Sequence, residues 1–336
     1  MVAKPPELIH LENLLQFTAR HAASHTLATM HYKDESMPLH AMRFGSESAD
    51  VPVLFFIGGV HGVERIGSQV VLAFLDNFIQ RQQWDETVYN LLQRLRIWFV
   101  PVVNPFGMKY HWRSNANRVD LMRNAPITAN GRVTPFVGGH RISRLLPWHR
   151  GHPQHMEQES EALTQLVIGE AQHAPMTLLL DVHSGFGSRD RLWFPLASSR
   201  QPIEHLPEVY SLYQLLQRNY PHNDYIFEPQ SQHYLTHGDL WDYAYLTVQS
   251  RGYSLLPLTL EMGSWRWVKK NPLQISRLGV FNPVKPHRVQ RVLRRHLMLM
   301  EFLIRASASW KNWVPDAGSR VQKRREALNL WYRNHG

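Results

Sequence analysis

The chain reads as a single α/β domain: a mixed, mostly parallel twisted sheet with helices on both faces. Three observations carry that expectation. Four short runs, Val51–Ile57, Arg96–Val103, Leu178–Val182 and Leu256–Leu260, are apolar along their length rather than alternating, the pattern of strands covered on both sides. Helical patterns accompany them, which is the order of an α/β fold. No internal repeat and no low-complexity linker divides the 336 residues, although the length alone would allow about two domains.

The elements follow in order. Leu8, Leu11, Leu14 and Leu15 fall at helical spacing within Glu7–Arg20, so an amphipathic helix opens the chain. Residues 26–45 alternate and carry Ser36-Met37-Pro38, which reads as the turn of a two-stranded hairpin. Val51–Ile57 breaks at Gly58-Gly59, and a helix from Gly67 to Arg81 then sets Val70, Val71, Phe74, Leu75, Phe78 and Ile79 on one face. Arg96–Val103 ends in Asn104-Pro105-Phe106-Gly107. Helices are expected at 157–169 and 205–219, and a long one from Lys285 to Arg305 that buries Val289, Val292, Leu293, Leu297, Met300 and Ile304. Residues 127–156 are irregular and hold His140, His149, His152 and His155. A loop of that length is functional or disordered, and its histidines read as surface groups before they read as a second metal site. The basic stretch Ser307–Gly336 reads as a solvated helix. The expected organisation is an N-terminal helix and hairpin (1–45), a catalytic domain (46–306) and a basic tail (307–336).

Composition closes off several classes. A hydrophobic fraction of 43% with 19% charge excludes intrinsic disorder and fibrous architectures. There is no cysteine, which removes disulfide scaffolds, thiol catalysis and cysteine-based metal sites. The net charge of +10 reads first as a basic solvated surface. With eleven tryptophans it would also suit a nucleic-acid binder, but no helix-turn-helix, RNA-recognition or zinc-knuckle pattern is present, and no nucleic-acid partner is expected. The start, Met-Val-Ala-Lys-Pro-Pro-Glu, has no apolar signal core, and no apolar run approaches the ~20 residues of a membrane span. A soluble cytoplasmic protein without a membrane partner is therefore expected; the sequence is silent on oligomeric state.

Three of the buried strands deliver a ligand-type residue just past their carboxyl ends: His61-Gly62-Val63-Glu64, Asp181-Val182-His183 and Leu260-Glu261-Met262. Ligands bind at that edge in open α/β sheets. Catalytic zinc takes three protein ligands and leaves a fourth position to water, and His61, Glu64 and His183 would make such a set. Glu261 would remain as a free carboxylate able to take a proton from that water and return it to a leaving group. Alone, His-x-x-Glu is equally the pattern of a helix start or a surface pair; the three strand ends together are what single it out.

These stretches, with Asn104-Pro105-Phe106-Gly107, Trp112-Arg113-Ser114, Val119-Asp120-Leu121-Met122-Arg123-Asn124 and Leu258-Thr259-Leu260-Glu261-Met262, occur in the order of peptidase family M14. Over roughly residues 45–300 the chain resembles those zinc metallocarboxypeptidases, with their carboxypeptidase A-like fold, and especially the shorter bacterial members without a signal peptide. The resemblance implies one zinc ion per chain on His61, Glu64 and His183, with Glu261 as general base and acid. It implies that Arg113 polarises the scissile carbonyl, that Asp120 orients the first zinc histidine, and that Arg123 pairs with the substrate's C-terminal carboxylate. Tyr234, eight residues before Asp242-Tyr243-Ala244-Tyr245, matches the family's mobile substrate-site tyrosine. Two positions depart from the pattern. Met122 stands where the family has asparagine, and Val63 stands where animal members often have arginine, with Arg65 beyond Glu64.

The function expected is hydrolysis of a peptide or amide bond by a metallocarboxypeptidase. Zinc deacylases of small N-acyl amino acids, of the aspartoacylase and succinylglutamate desuccinylase kind, share this chemistry. Met122 and the basic loop near 132–152 would suit their substrates.

Overall fold

The apolar runs become the central strands of one sheet. A computed structural model describes residues 2–18, 22–276 and 278–333. It begins with α1 (Pro6–Thr18), β1 (Ala23–Tyr32), β2 (Glu35–Gly45), β3 (Val53–Gly58), α2 (Arg65–Arg81), α3 (Glu86–Leu92), β4 (Arg96–Val100) and α4 (Pro105–Tyr110). After the long loop come α5 (Gln158–Ala171), β5 (Thr177–Ser184), β6 (Arg191–Phe194), α6 (Leu206–Asn219), β7 (Ile226–Pro229), α7 (Leu240–Ser250) and β8 (Leu255–Met262). The chain closes with α8 (Trp265–Lys270), α9 (Pro286–Ala308) and α10 (Ala317–Trp331).

The strands lie in the order β1-β2-β4-β3-β5-β8-β6-β7. β4, β3, β5 and β8 run parallel, as do β6 and β7, while β1–β2, β2–β4 and β6–β8 are antiparallel. Alternation along β3 supplies both layers of a single α/β domain. Leu54 and Phe56 pack with residues of α1, α2, α6, α9 and α10. Val53, Phe55 and Ile57 pack with residues of α5 and α7. Each fully buried leucine or phenylalanine in these layers contributes about 1.5–3 kcal/mol. This is the fold class the sequence predicts.

Local details differ from expectation. The hairpin turns at Lys33-Asp34, where Lys33 takes φ 53°, and Ser36-Met37-Pro38 lie inside β2. At Pro38 the other edge of β2 faces no strand, because β4 pairs only with Met42–Gly45; such an edge tolerates a proline. The strand starting at Arg96 stops at Val100. The predicted first helix reaches Thr18, and its expected end at Arg20 lies outside the described residues. The tail is not solvated on all sides: Ala327 and Trp331 of α10 are buried in the core beside α6, and Trp331 stacks with Phe227. Residues 127–156 carry no helix or strand, only an isolated bridge between His140 and His149. Among the described residues, no helix is long and apolar enough to cross a membrane.

Glu159, in the first turn of α5, sets a pH dependence of stability. Burial pushes its carboxyl up to about 7, against hydrogen bonds from Asn115 Nδ2 at 3.3 Å to each oxygen. A raised acid binds its proton more tightly in the folded state, so stability is highest below the unfolded value near 4.5 and falls as pH rises through about 7. Glu159→Gln removes that penalty. Urea titrations should show the variant more stable by about 1–3 kcal/mol at pH 8 and level with wild type at pH 4.5. Parallel pH profiles for the two proteins would refute the assignment.

Candidate metal centre and active site

β3 ends at Gly58, and the chain turns through His61-Gly62-Val63-Glu64 into α2. A Cβ on Gly62 would stand 1.9 Å from the Gly107 carbonyl carbon, so only glycine lets the turn press against α4. Asn104 caps α4 by accepting from the Gly107 N–H at 2.8 Å and donates through Nδ2 to the Val60 carbonyl at 3.3 Å. The Asn-Pro-Phe-Gly stretch is thus a support for the His61 turn. On the other side Asn282 donates to the Val63 carbonyl at 2.7 Å and accepts from the Ile66 N–H at 2.9 Å.

β3, β5 and β8 are neighbours, which brings their carboxyl ends to one edge. His61 Nδ1 lies 2.8 Å from Glu64 Oε1 and 3.2 Å from His183 Nδ1, and His183 Nδ1 lies 3.0 Å from Glu64 Oε2. Each imidazole is held from behind by a carboxylate: Asp120 Oδ1 is 3.1 Å from His61 Nε2, and Asp181 Oδ2 is 2.6 Å from His183 Nε2. Trp241 of α7 donates to the same Asp181 oxygen at 2.8 Å. Both Nδ1 atoms therefore converge on the Glu64 carboxylate. Two imidazoles and a carboxylate with their outer nitrogens anchored are the donor set of catalytic zinc, and the residues fit that ion.

Charge compensation maintains this buried group. Burial alone would raise the Glu64 carboxyl, but His61 and His183 hold it well below the usual carboxylate range. Asp120, likewise opposed by burial, is held well below that range by Arg113 and His61. Burial would lower His183, yet Asp181 and Glu64 raise it. Arg113 bridges the cluster, donating from Nη1 to Glu64 Oε1 and from Nε to Asp120 Oδ2, both at 2.9 Å. These partners keep its guanidinium above its ordinary value despite burial.

Register places the fourth group. Glu261 on β8 pairs with His183 on β5, so its carboxylate stands beside the cluster without belonging to it. Its Oε1 accepts from the Phe186 N–H at 3.0 Å. Burial, followed by the nearby Glu64 charge, pushes it up to about 8.

A cavity of about 300 Å³ opens from these residues and is walled by Trp148, Phe186, Trp193, Trp265 and Phe281. Arg123 and Tyr234 line it as well. Burial raises the Tyr234 phenol above its usual value. Arg123 also donates to the carbonyls of Met122 at 3.3 Å and Val137 at 3.4 Å, and the Met122 side chain adds only a thioether. Arg65 takes no part in the cavity; it pairs with Glu7 of α1, with Nε 3.0 Å and Nη2 2.6 Å from the carboxylate.

The structure thus gathers His61, Glu64, His183, Glu261, Arg113, Asp120, Arg123 and Tyr234 at one site. Sequence reasoning missed Asp181, Trp241, Asn282 and Asp239. Asp181 was legible, since residues two apart on a strand share a face and Asp181 precedes His183 by two. Asp239 caps α7 through Oδ1 and lines the cavity near Arg123. Among the described residues His61, Glu64 and His183 are the one group that could hold a metal, and the loop histidines form none.

The fold and the grouping of His61, Glu64 and His183 are of the kind found in zinc carboxypeptidases. The profile of the zinc carboxypeptidase family, peptidase M14, matches residues 12–266, and the chain belongs to that family. Carboxypeptidase SOL1 of Arabidopsis thaliana is 26% identical over 113 residues, covering 33% of this chain and 23% of that protein. Carboxypeptidase D of Anas platyrhynchos is 31% identical over 91 residues, 24% of this chain and 7% of that one. The chain spans under a quarter of the length of either relative. Among solved structures, carboxypeptidase A of Helicoverpa armigera has a TM-score of 0.67 at 17% identity, over 89% of this chain and 71% of that one. Thrombin-activatable fibrinolysis inhibitor has a TM-score of 0.66 at 17% identity, covering 89% and 72%. These two share the fold.

Proposed function

We propose that the protein is a zinc-dependent metallocarboxypeptidase that hydrolyses the C-terminal peptide bond of a polypeptide. The observation that carries this reading is Arg123. It is only 4% exposed and shares the cavity of Glu261 and the His61–Glu64–His183 group. Among the described residues no carboxylate lies within ion-pair reach of it. Asp239 and Asp120 act on it only at longer range, and a substrate's terminal carboxylate is the anion that would pair with it directly.

His61, Glu64 and His183 would hold one zinc ion per chain, with Asp120 and Asp181 fixing the imidazoles. Zinc supplies Lewis acidity at that point, easing deprotonation of water and polarising a carbonyl. Glu261 takes the proton from the attacking water as the new C–O bond forms. It returns that proton to the departing amine as the C–N bond breaks. A carboxyl raised toward neutrality suits both halves of that transfer. Arg113, permanently charged and fixed by Glu64 and Asp120, stabilises the oxyanion. Tyr234 positions the substrate beside Arg123. The aromatic walls favour a peptide over the small N-acyl amino acid of the deacylase alternative.

The test is kcat/KM on a matched pair of peptides, one with a free C-terminal acid and one amidated. Met122 lacks the amide donor that would add a charge-assisted hydrogen bond worth ~1.5–3 kcal/mol, roughly 10–150-fold in affinity. Wild type should therefore prefer the free acid only modestly. Met122→Asn should sharpen the preference about tenfold or more, and Arg123→Ala should erase it. Equal rates on both wild-type substrates would refute the carboxypeptidase reading.

A further inference from the structure

α8 contributes to two cavities. Trp265 lines the one described above, while Arg266, Trp267 and Lys270 line a second of about 80 Å³ between α8 and α9. α9 presents Arg288, Arg291 and Arg295 to it, spaced by three and then four residues along one helical face. Asp190 is the one acid lining this cavity, and its oxygens are committed. Oδ2 accepts from Arg295 Nε at 2.9 Å; Oδ1 accepts from the Gly263 N–H at 2.9 Å and from Arg266 at 3.4 Å. Arg288 reaches only neutral acceptors, the Trp267 carbonyl at 3.2 Å and Gln274 Oε1 at 3.4 Å. Lys270 and Arg291 have no ion-pair partner among the described residues.

Two further observations point to an anion at this place. Arg288 and Arg291 sit in the first two turns of α9, whose first turn holds no acid. Cations are disfavoured at that end of a helix. At the base of the cavity, His296 is 1% exposed, with Nδ1 2.8 Å from the Tyr225 hydroxyl. When Nδ1 accepts the phenol proton, the ring's own proton sits on Nε2, which is then the free donor. Burial pushes His296 down to about 4, so the ring is neutral. Asp190 Oδ2 lies 3.9 Å from Nε2, beyond hydrogen-bond reach. A buried donor thus faces a cavity rimmed by uncompensated cations.

We propose that this cavity binds a phosphate-class oxyanion, held by Lys270, Arg288 and Arg291 with His296 Nε2–H donating from below. Its size admits one tetrahedral anion, either free or as the terminal group of a larger molecule that extends into solvent. Occupancy would tie α8 to α9 and steady the helix that carries Trp265.

Calorimetric titration of the zinc-loaded full chain with inorganic phosphate, at ionic strength fixed with chloride, tests this. Both Lys270 and Arg291 are exposed, so Arg291→Ala and Lys270→Ala do not threaten folding. One saturable site is expected, weakened about tenfold or more in either variant and unchanged in Arg123→Ala. Absence of saturable binding, or binding lost in Arg123→Ala but kept in Arg291→Ala, would overturn the proposal. A second arm uses a phosphoserine peptide. Binding tighter than that of phosphate assigns a phosphorylated polypeptide as the source, and weaker binding assigns the free ion.

Discussion

Glu261→Gln should lower kcat by about 10²–10⁴-fold while the protein still carries zinc at the wild-type ratio, because it removes a proton carrier and not a ligand. Both halves of this expectation rest on the geometry. Glu261 lies beside His183 by strand register, and its Oε1 is engaged by the Phe186 N–H rather than by the imidazoles. The glutamine is isosteric and neutral, so it relieves the repulsion from Glu64 and should not destabilise the fold. KM should change little if the group acts on the proton alone. Elemental analysis alongside steady-state kinetics separates the outcomes. Near-normal turnover would place the base elsewhere, and zinc loss would make Glu261 a ligand.

His183→Ala should produce the opposite pattern, with metal lost and activity lost together. It deletes one of three converging donors and also leaves Asp181 and Glu64 without their shared partner. Uncovering one side of a buried ion pair costs about 3–5 kcal/mol, so the melting temperature should fall along with zinc content. Asp181→Asn supplies a milder arm should the alanine variant fail to fold. It keeps His183 but weakens its anchor, and an approximately 10–100-fold loss of zinc affinity is expected. Full zinc retention in both variants would remove His183 from the metal site.

The central strands and the candidate ligand residues at their ends were legible from local pattern alone. A run such as Leu178-Leu179-Leu180 reads as a covered strand, and the polar stop at Asp181-Val182-His183 calls for a reason. Period two along β5 even encodes the pairing of Asp181 behind His183, because both side chains leave the same face. The long apolar faces of α2 and α9 were equally legible, since their spacing repeats over several turns.

The relations between elements, which no local pattern records, came from packing. Register between β5 and β8 put Glu261 opposite His183, and a slip of one residue would have turned it to the other face. The left-handed Lys33 moved the hairpin turn away from the proline that marked it in the sequence. Arg65 went to Glu7 on α1 because α1 packs against α2, so the residue directly after Glu64 became a structural ion pair. Trp241 reaches Asp181 across 60 residues, Asn282 reaches Val63 across 219, and Trp331 enters the core from a tail that looked solvated. The cations of α8 and α9, an unremarkable basic stretch in the sequence, face one cavity only because the two helices meet. Local sequence sets which surfaces an element offers; long-range packing sets which surfaces meet, and the candidate active site is made of such meetings.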